Sequence, residues 1–214
     1  MVDTFKHKGM RKKLIEELRV KGIRDNRVLQ AFDAVPRHFF LDLAFEKQAY
    51  SNTAFQIGAG QTISHPYTVA FQTELLELKP KEKVLEIGTG SGFQTSILCE
   101  MGVKVFSIER QRELALKSKR IIHDLGYTPK LYYGDGYAGK PTFAPFDKIL
   151  VTCGAPFVPD ALLEQLKVGG MLVIPIGDGD KQIMTKIVKK SEMDFTKQEF
   201  GDFSFVPMLA RTAK

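Results

Sequence analysis

Apolar residues recur at helical spacing through the first part of the chain. Residues 10–20 place apolar side chains on one face of a predicted helix. A second helix is predicted to begin after Asp25, a favourable N-cap residue, and to end before Pro36. A third short helix is predicted over Phe39–Phe45, whose aromatic residues need a packing surface. We interpret residues 1–60 as an N-terminal helical cap.

From Lys83 onward short apolar strands alternate with helices. The predicted strands are KVLEI, KVFSIE, KLYYG, DKILVT and GMLVIPI, and the helices between them reach to about Met101, cover Arg112–Leu125 and lie near Asp160–Leu166. This alternation predicts right-handed βαβ units. The fold class is therefore α/β and Rossmann-like, with a mostly parallel twisted sheet covered by helices on both faces. KQIMTKIVKK and QEFGDFSFVPML alternate polar and apolar residues and predict a C-terminal antiparallel hairpin. We expect residues 61–214 to form this core within a single domain.

Composition sets the expected compartment and partners. Of the 214 residues, 43% are hydrophobic and 26% charged, which is typical of a soluble domain. No apolar run approaches the roughly 20 residues that span a bilayer. The N-terminus lacks the apolar stretch of a secretory signal, and only two cysteines are present. We expect a cytoplasmic monomer with no membrane partner. The net charge of +6 permits a nucleic-acid partner, but the basic residues are scattered, and we expect none.

A glycine-rich loop follows the first strand of the predicted sheet and opens a helix. Its sequence, EIGTGSG over residues 86–92, has glycines at alternate positions, and Phe93 stands where a dinucleotide loop would have its third glycine. Glu109 ends the next strand, where a carboxylate can accept both ribose hydroxyls. Glu86 suits a cofactor with a positively charged amino group. These features favour S-adenosylmethionine over NAD. Asp135 of the GDG motif ends the third strand and is expected to read the adenine edge.

Several motifs together resemble one family of methyltransferases. GQTIS, VLEIGTGSGFQT, GDG, PFDKILVT, ALLEQLKVGGMLVIPIG and FVP occur in this order in protein-L-isoaspartate O-methyltransferases of bacterial type. The resemblance covers roughly Gly22 to Met208, and GQTIS ahead of the glycine loop is its most specific part. It implies a class I S-adenosylmethionine-dependent methyltransferase fold and S-adenosylhomocysteine as product. It also implies an L-isoaspartyl carboxylate in damaged proteins and peptides as acceptor, whose ester closes to a succinimide that reopens partly to normal aspartate.

The resemblance also implies roles for individual residues. It assigns Ser64 as the catalytic residue and no metal. The implied acceptor contacts are Thr62, Ser64, Val206 and Pro207. The implied cofactor contacts are Thr62, Ile63, Glu86, Gly88, Thr89, Gly90, Glu109, Arg110, Asp135 and Gly136. Departures from the family pattern at Phe55-Gln56, Cys153-Gly154 and Met208 are expected to affect peptide preference more than reaction type.

Carboxylate methylation demands little of the protein, because an acceptor with a pKa near 4 is already ionised at neutral pH. Hydroxyls and backbone N–H groups suffice, and GQTISHPY supplies Thr62, Ser64 and a helix N-terminus that favours an anion. Ser64 could instead be a plain N-cap, with Pro66 in the first helical turn. We interpret His65 as a loop residue and Cys153 as a packing residue.

Two other functions are compatible with the glycine loop. One is a methyltransferase acting on a nucleic-acid or protein nitrogen. Such enzymes often carry an Asn/Asp-Pro-Pro-aromatic clamp after the fourth strand, where this chain reads TCGAPFVP. The other is a nucleotide-binding module without catalysis, which would not need GQTIS. Methyl transfer to an isoaspartyl peptide would separate the three.

Overall fold

A computed structural model describes residues 2–213 of the chain. Its helices are α1 (Phe5–Val20), α2 (Asn26–Ala34), α3 (Pro66–Leu75), α4 (Phe93–Glu100), α5 (Arg112–Asp124) and α6 (Asp160–Glu164). Its strands are β1 (Phe55–Gly58), β2 (Gln61–Ile63), β3 (Lys83–Ile87), β4 (Lys104–Glu109), β5 (Lys130–Tyr133), β6 (Phe146–Val151), β7 (Leu166–Ile176), β8 (Gln182–Lys189) and β9 (Phe195–Phe203). Short 3₁₀ turns cover Arg37–Phe40, Leu43–Gln48, Gly136–Ala138 and Pro141–Phe143.

Seven strands form one sheet in the order β5-β4-β3-β6-β7-β8-β9. The pairs from β5 to β7 are parallel, and the pairs β7–β8 and β8–β9 are antiparallel. This arrangement confirms the predicted parallel core and the antiparallel strands at its end. The chain winds outward from β3 to β5 and then crosses back to β6, so the strand order reverses between β3 and β6. Ligands of such sheets bind at this switch point, outside the carboxyl ends of the strands.

The cap and one face of the sheet share a hydrophobic core. Strand residues alternate between faces, so Val84 packs with the cap helices, whereas its neighbour Leu85 packs with the opposite layer, next to α6. Both side chains are 0% exposed. Leu18 of α1 and Phe32 of α2 belong to the same buried cluster as Val84. Packing the cap against the sheet therefore covers one side of the strands that end at the switch point.

Two parts of the cap differ from the sequence prediction. The single helix predicted over Phe39–Phe45 is wrong, because the extended backbone of Leu41 (φ −115°, ψ 160°) divides the segment into two 3₁₀ turns. The cap also contains an antiparallel hairpin of β1 and β2 that the sequence pattern did not reveal, with Gln56 opposite Thr62. Strands of four and three residues are too short to show a clear alternation. The hairpin places GQTIS on a strand beside the sheet.

None of the helices within residues 2–213 combines the length and apolarity needed to cross a bilayer.

Candidate active site

A cavity opens at the switch point, at the carboxyl edge of β3, β4 and β6. Including the open space at its mouth, it has a volume of ≈ 820 Å³. Its wall is formed by Gln61, Thr62, Ile63, Ser64, Val69, Gln72, Ile87, Gly88, Thr89, Gly90, Ser91, Gln94, Ile108, Glu109, Arg110, Gly136, Thr152, Cys153, Val206, Pro207, Met208 and Leu209. Most of the residues that the sequence predicted for cofactor and acceptor therefore share one cavity.

The glycine loop comes close to its neighbours and leaves no room for side chains on the cavity floor. Gly88 has φ +99°, and a Cβ there would lie 2.5 Å from the Thr152 hydroxyl oxygen. That hydroxyl donates to the carbonyl oxygens of Ile87 (2.9 Å) and Gly88 (2.7 Å). Gly90 has φ +53°, a left-handed conformation that glycine adopts without strain. The loop backbone is thus fixed in a tight turn, with the Gly88 N–H donating to the Ile108 carbonyl at 2.8 Å.

Glu109 ties the glycine loop to the end of β4. Its Oε2 accepts a hydrogen bond from the Gly90 N–H at 2.8 Å, and its Oε1 accepts one from the Gln111 N–H at 2.8 Å. A carboxylate has about four acceptor sites, so both oxygens retain capacity for further donors. The side chain lines the cavity although the residue is only 5% exposed. This placement fits an acceptor for ligand hydroxyls.

Glu86 lies in the interior and not on the cavity wall, which corrects the expected contact with a charged amino group. The residue is 0% exposed, and its Oε2 accepts hydrogen bonds from the hydroxyls of Thr95 (2.5 Å) and Ser107 (2.6 Å). Burial raises the pKa of Glu86 to about 7, against the effect of these hydrogen bonds. The Ser107 hydroxyl also contacts that of Thr89 at 2.6 Å, so Glu86 supports the glycine loop from beneath.

Gln94 on α4 is a cavity residue that the sequence did not single out. Its Nε2 donates to the Thr73 hydroxyl at 3.0 Å, and that hydroxyl donates to the Val69 carbonyl at 2.7 Å. This chain of donors fixes the amide orientation and leaves Oε1 as the free atom. Within residues 2–213 this buried oxygen has no hydrogen-bond partner. A buried polar atom without a partner on a cavity wall is suited to a ligand donor.

The GDG motif contributes its second glycine and not its aspartate. Asp135 is absent from the wall, because its Oδ1 accepts from the Tyr137 N–H (2.9 Å) and its Oδ2 from the Arg211 N–H (2.7 Å). A carboxylate has about four acceptor sites, so the expected reading of an adenine edge by Asp135 stays a prediction. Gly136 lines the cavity, and a Cβ there would lie 2.4 Å from the Ile87 side chain. Arg110 also lines it, with its Nε donating to the Arg211 carbonyl at 3.0 Å.

The opposite wall brings together segments that are far apart in sequence. Thr62 and Ile63 belong to β2 and Ser64 follows it directly, whereas Val206 and Pro207 follow β9. A parallel bridge holds the second segment beside the loop after β6. There the Gly154 N–H donates to the Val206 carbonyl at 2.9 Å, and the Met208 N–H donates to the Gly154 carbonyl at 2.7 Å. The sequence prediction placed FVPM in the hairpin strand; the bridge explains why it lies outside β9 instead.

Ser64 is not the N-cap of α3, contrary to the structural alternative considered from the sequence. The N-cap is His65, which makes no side-chain capping bond, and Pro66 follows at the first helical position. The next N–H, that of Tyr67, donates to the Asn52 side chain at 2.9 Å. The predicted anion site at this helix N-terminus is therefore largely occupied by the protein itself. Ser64 lines the cavity, and its side chain takes no part in capping α3.

Neither His65 nor Cys153 has the surroundings of a reactive group. His65 is exposed and does not line the cavity, and burial of part of its ring and the nearby Arg37 charge lower its pKa. Cys153 lines the cavity, but burial, with a smaller effect of Glu109, raises its thiol pKa to about 12. The thiolate is the reactive form of cysteine, so both residues fit the modest roles predicted for them.

A cluster with metal-ligating atoms lies in the cap, apart from the cavity. Ligand atoms of Asp3, His7 and His38 lie within 4.8 Å of one another. Both oxygens of Asp3 accept hydrogen bonds from the Arg11 guanidinium, and His7 pairs with Glu46 at 2.9 Å. The cluster is thus already joined by its own ion pairs, and the absence of a metal from the reaction stays a prediction.

A sequence profile of the protein-L-isoaspartate(D-aspartate) O-methyltransferase family matches residues 9–213. The chain belongs to this family. A protein-L-isoaspartate O-methyltransferase of Christiangramia forsetii is 59% identical over 210 residues, which cover 98% of each chain. The family resemblance seen in the motifs is confirmed.

Two solved structures of the same family confirm the fold class. A protein-L-isoaspartate O-methyltransferase superposes with a TM-score of 0.84 at 29% identity over 92% of this chain, and this chain spans only 65% of that one. A Plasmodium falciparum family member in complex with S-adenosyl-L-homocysteine gives a TM-score of 0.81 at 28% identity, covering 92% of this chain and 97% of the other.

Proposed function

We propose that this chain transfers a methyl group from S-adenosylmethionine to the free carboxylate of L-isoaspartyl residues in damaged proteins and peptides. The observation that carries the proposal is the single cavity at the switch point, where the glycine loop and Glu109 face Thr62, Ser64 and the segment after β9. Membership of the isoaspartate methyltransferase family supplies the acceptor class.

The cavity residues fit S-adenosylmethionine. Glu109 would accept the ribose hydroxyls with the acceptor sites left free by Gly90 and Gln111. The unpartnered Oε1 of Gln94 would accept from the amino group, the task that the sequence gave to Glu86. Thr62, Ile63, Gly88, Thr89, Arg110 and Gly136 complete this half of the wall. When bound, the cofactor supplies an electrophilic sulfonium methyl group and ends as S-adenosylhomocysteine.

The protein's own part in the reaction is orientation and exclusion of water. The Ser64 and Thr62 hydroxyls donate to one oxygen of the acceptor carboxylate, and Val206 and Pro207 hold the peptide beside them. No proton would need to move, because the acceptor arrives ionised, and transfer of the methyl group from the sulfonium sulfur to a carboxylate oxygen would leave a neutral thioether and a neutral ester. This agrees with a site in which His65 and Cys153 are not activated. Hydrogen bonding by Ser64 at the acceptor makes it the catalytic residue of the proposal.

We also propose that the chain acts in the cytoplasm as a monomer, without nucleic-acid or membrane partners. The two cysteines, Cys99 and Cys153, are unpaired, and burial raises the thiol pKa of each to about 12, as suits a reducing compartment. The basic side chains are distributed over several elements along the chain. Light scattering would test the monomer, and filter binding of RNA and DNA would test the partners.

The decisive experiment incubates the chain with labelled S-adenosylmethionine and a pair of peptides that differ only in isoaspartyl or aspartyl linkage. Label should enter the isoaspartyl peptide as a base-labile ester and leave the aspartyl peptide nearly unlabelled. Transfer to nucleic acid or to a peptide amine, as a base-stable product, would replace the proposal with the nitrogen methyltransferase. Cofactor binding without transfer to any of these would favour a non-catalytic module.

A further inference from the structure

Arg37 is the largest fully buried side chain outside the cavity, and it reaches the backbone of Ser64. The residue is 1% exposed and begins the 3₁₀ turn that follows Pro36. Its guanidinium lies over the rings of Phe55 (5.7 Å) and Phe93 (5.6 Å). This position places a fixed cation between the cap, the β1–β2 hairpin and the helix that opens from the glycine loop.

The guanidinium is held by carbonyl oxygens and by no carboxylate. Its Nη1 donates to Ala49 (2.8 Å), and its Nη2 donates to Thr53 (3.1 Å) and to Ser64 (2.9 Å). The ion pairs formed by residues 2–213 include none with Arg37, and its Nε has no partner in that range. Burial lowers the pKa of Arg37 to about 9, which still leaves it charged at neutral pH. A neutral donor could also hydrogen-bond to these three carbonyl oxygens, so the contacts alone do not explain why the buried residue carries a positive charge.

The field of this charge extends to the loop that carries the acceptor hydroxyls. Arg37 contributes to the lowered pKa of His65, the residue next to Ser64, after the effect of burial. In a low-dielectric interior such a charge acts on any anion placed nearby. An acceptor carboxylate beside the Ser64 hydroxyl would therefore experience an attraction that a neutral group of the same shape would not.

We propose that Arg37 is a positioning and specificity residue, which fixes the Ser64 backbone and favours a carboxylate over a neutral group at the acceptor site. This inference rests on the proposed function. Methylation converts the anionic acceptor into a neutral ester, so the Arg37 charge attracts the substrate and does not attract the product. Arg37 thereby helps the ester to leave. Because the acceptor's charge is already being lost in the transition state, the charge of Arg37 contributes mainly to binding and less to turnover.

The test measures charge preference directly, with S-adenosylhomocysteine bound so that no reaction occurs. Calorimetry compares an isoaspartyl peptide with the same peptide carrying isoasparagine, its neutral counterpart. Arg37→Gln keeps a donor without the charge, and Arg37→Lys keeps the charge without the planar fork. Arg11→Gln is the matched control, because Arg11 is a buried cap arginine (5% exposed) that pairs with Asp3 and makes no contact with Ser64.

We expect Arg37→Gln to reduce the preference for the anionic peptide by about tenfold or more, since a charge several ångströms away in the interior has an effect of at least that size. Arg37→Lys should retain most of the preference, and Arg11→Gln all of it. In steady-state assays Arg37→Gln should raise KM for the isoaspartyl peptide more than it lowers kcat. An unchanged anion preference in folded Arg37→Gln would overturn the inference.

A second measurement needs no variant and covers the case in which Arg37→Gln does not fold. The wild-type preference for the anionic peptide should persist in about 1 M salt, because a buried charge is poorly screened. A preference that disappears in salt would assign it to surface lysines and overturn the inference. These results are separable from the proposed function, since a wild-type chain that methylates isoaspartyl peptide satisfies the latter whatever Arg37 does.

Discussion

Replacing Glu109 by alanine tests the cofactor half of the site. The change removes a carboxylate that accepts two backbone N–H groups, those of Gly90 and Gln111, each at 2.8 Å. It also removes the expected acceptor of the ribose hydroxyls. A hydrogen bond to a charged group contributes about 1.5–3 kcal/mol. We therefore expect the Kd for S-adenosylmethionine to rise by about 10- to 150-fold. Folding stability should fall by about 1–3 kcal/mol, because the two N–H groups lose their acceptor.

Glu109→Ala could weaken cofactor binding by removing a direct contact or by loosening the glycine loop. A thermodynamic cycle that changes both the ligand and residue 109 separates these two effects. Calorimetry would measure S-adenosylhomocysteine and its 2′-deoxy analogue against the wild type and Glu109→Ala. If Glu109 binds the ribose, the missing hydroxyl should weaken binding to the wild type and have little further effect on the variant. Glu113→Ala is the control, because Glu113 is an exposed carboxylate at the start of α5 and is not on the cavity wall. A folded Glu109→Ala with unchanged cofactor affinity would refute the assignment.

Four further variants test other parts of the site. Ser64→Ala should lower turnover on isoaspartyl peptide by about tenfold or more, the effect of losing roughly 1.4 kcal/mol in the transition state. Because His65 and not Ser64 is the N-cap of α3, the free energy of unfolding in urea should change by only about 0.5 kcal/mol or less. His65→Gln should keep most of the activity, and the rate of the wild type should stay nearly flat from about pH 6 to 8, so an acidic limb that the variant abolishes would restore a general base. Glu86 has a folded pKa of about 7, raised from 4.5, so its ionisation costs folding stability as pH rises through that interval. In urea titrations Glu86→Gln should therefore gain stability relative to the wild type between pH 5 and about 8. Parallel stability–pH profiles of the two proteins would count against the buried carboxylate. Gly90→Val should lose cofactor binding, since φ is +53° and a branched side chain would be strained there; normal binding by a folded variant would mean that the loop shape is not required.

Local sequence patterns predicted the sheet well because each pattern lies within one element. KVLEI and KVFSIE coincide with β3 and β4. Asp25 is the N-cap of α2, with its side chain accepting from the Arg27 N–H at 2.8 Å. In these cases the residues that decide the structure are neighbours in the chain. The glycine loop was predictable for the same reason. Glu109 was predictable because the next parallel strand ends at the same edge of the sheet.

The errors concern residues whose environment depends on distant segments. Glu86 has the right spacing for a ligand contact, but strand alternation directs it into the interior against Thr95 and Ser107. Asp135 sits at the predicted sheet edge, but its carboxylate also accepts from the distant Arg211 N–H, a contact that the sequence pattern does not reveal. Gln94 could not be predicted from the sequence, because the role of an amide on an apolar helix depends on its hydrogen bond to the distant residue Thr73. Sequence position fixes which edge of the sheet a residue reaches and does not fix the direction of its side chain.

The acceptor half of the site could be predicted only from the family resemblance and not from the residues themselves, for a chemical reason as well. A carboxylate that arrives ionised needs no base, nucleophile or metal, so the protein has no need of a recognisable catalytic set. Its contribution is the hydroxyls of Thr62 and Ser64, the apolar segment after β9, and the charge of Arg37 in the cap. Arg37 satisfies three carbonyls across two cap turns and the hairpin. The cap is therefore part of the active site, because the position of Ser64 depends on an arginine that never enters the cavity.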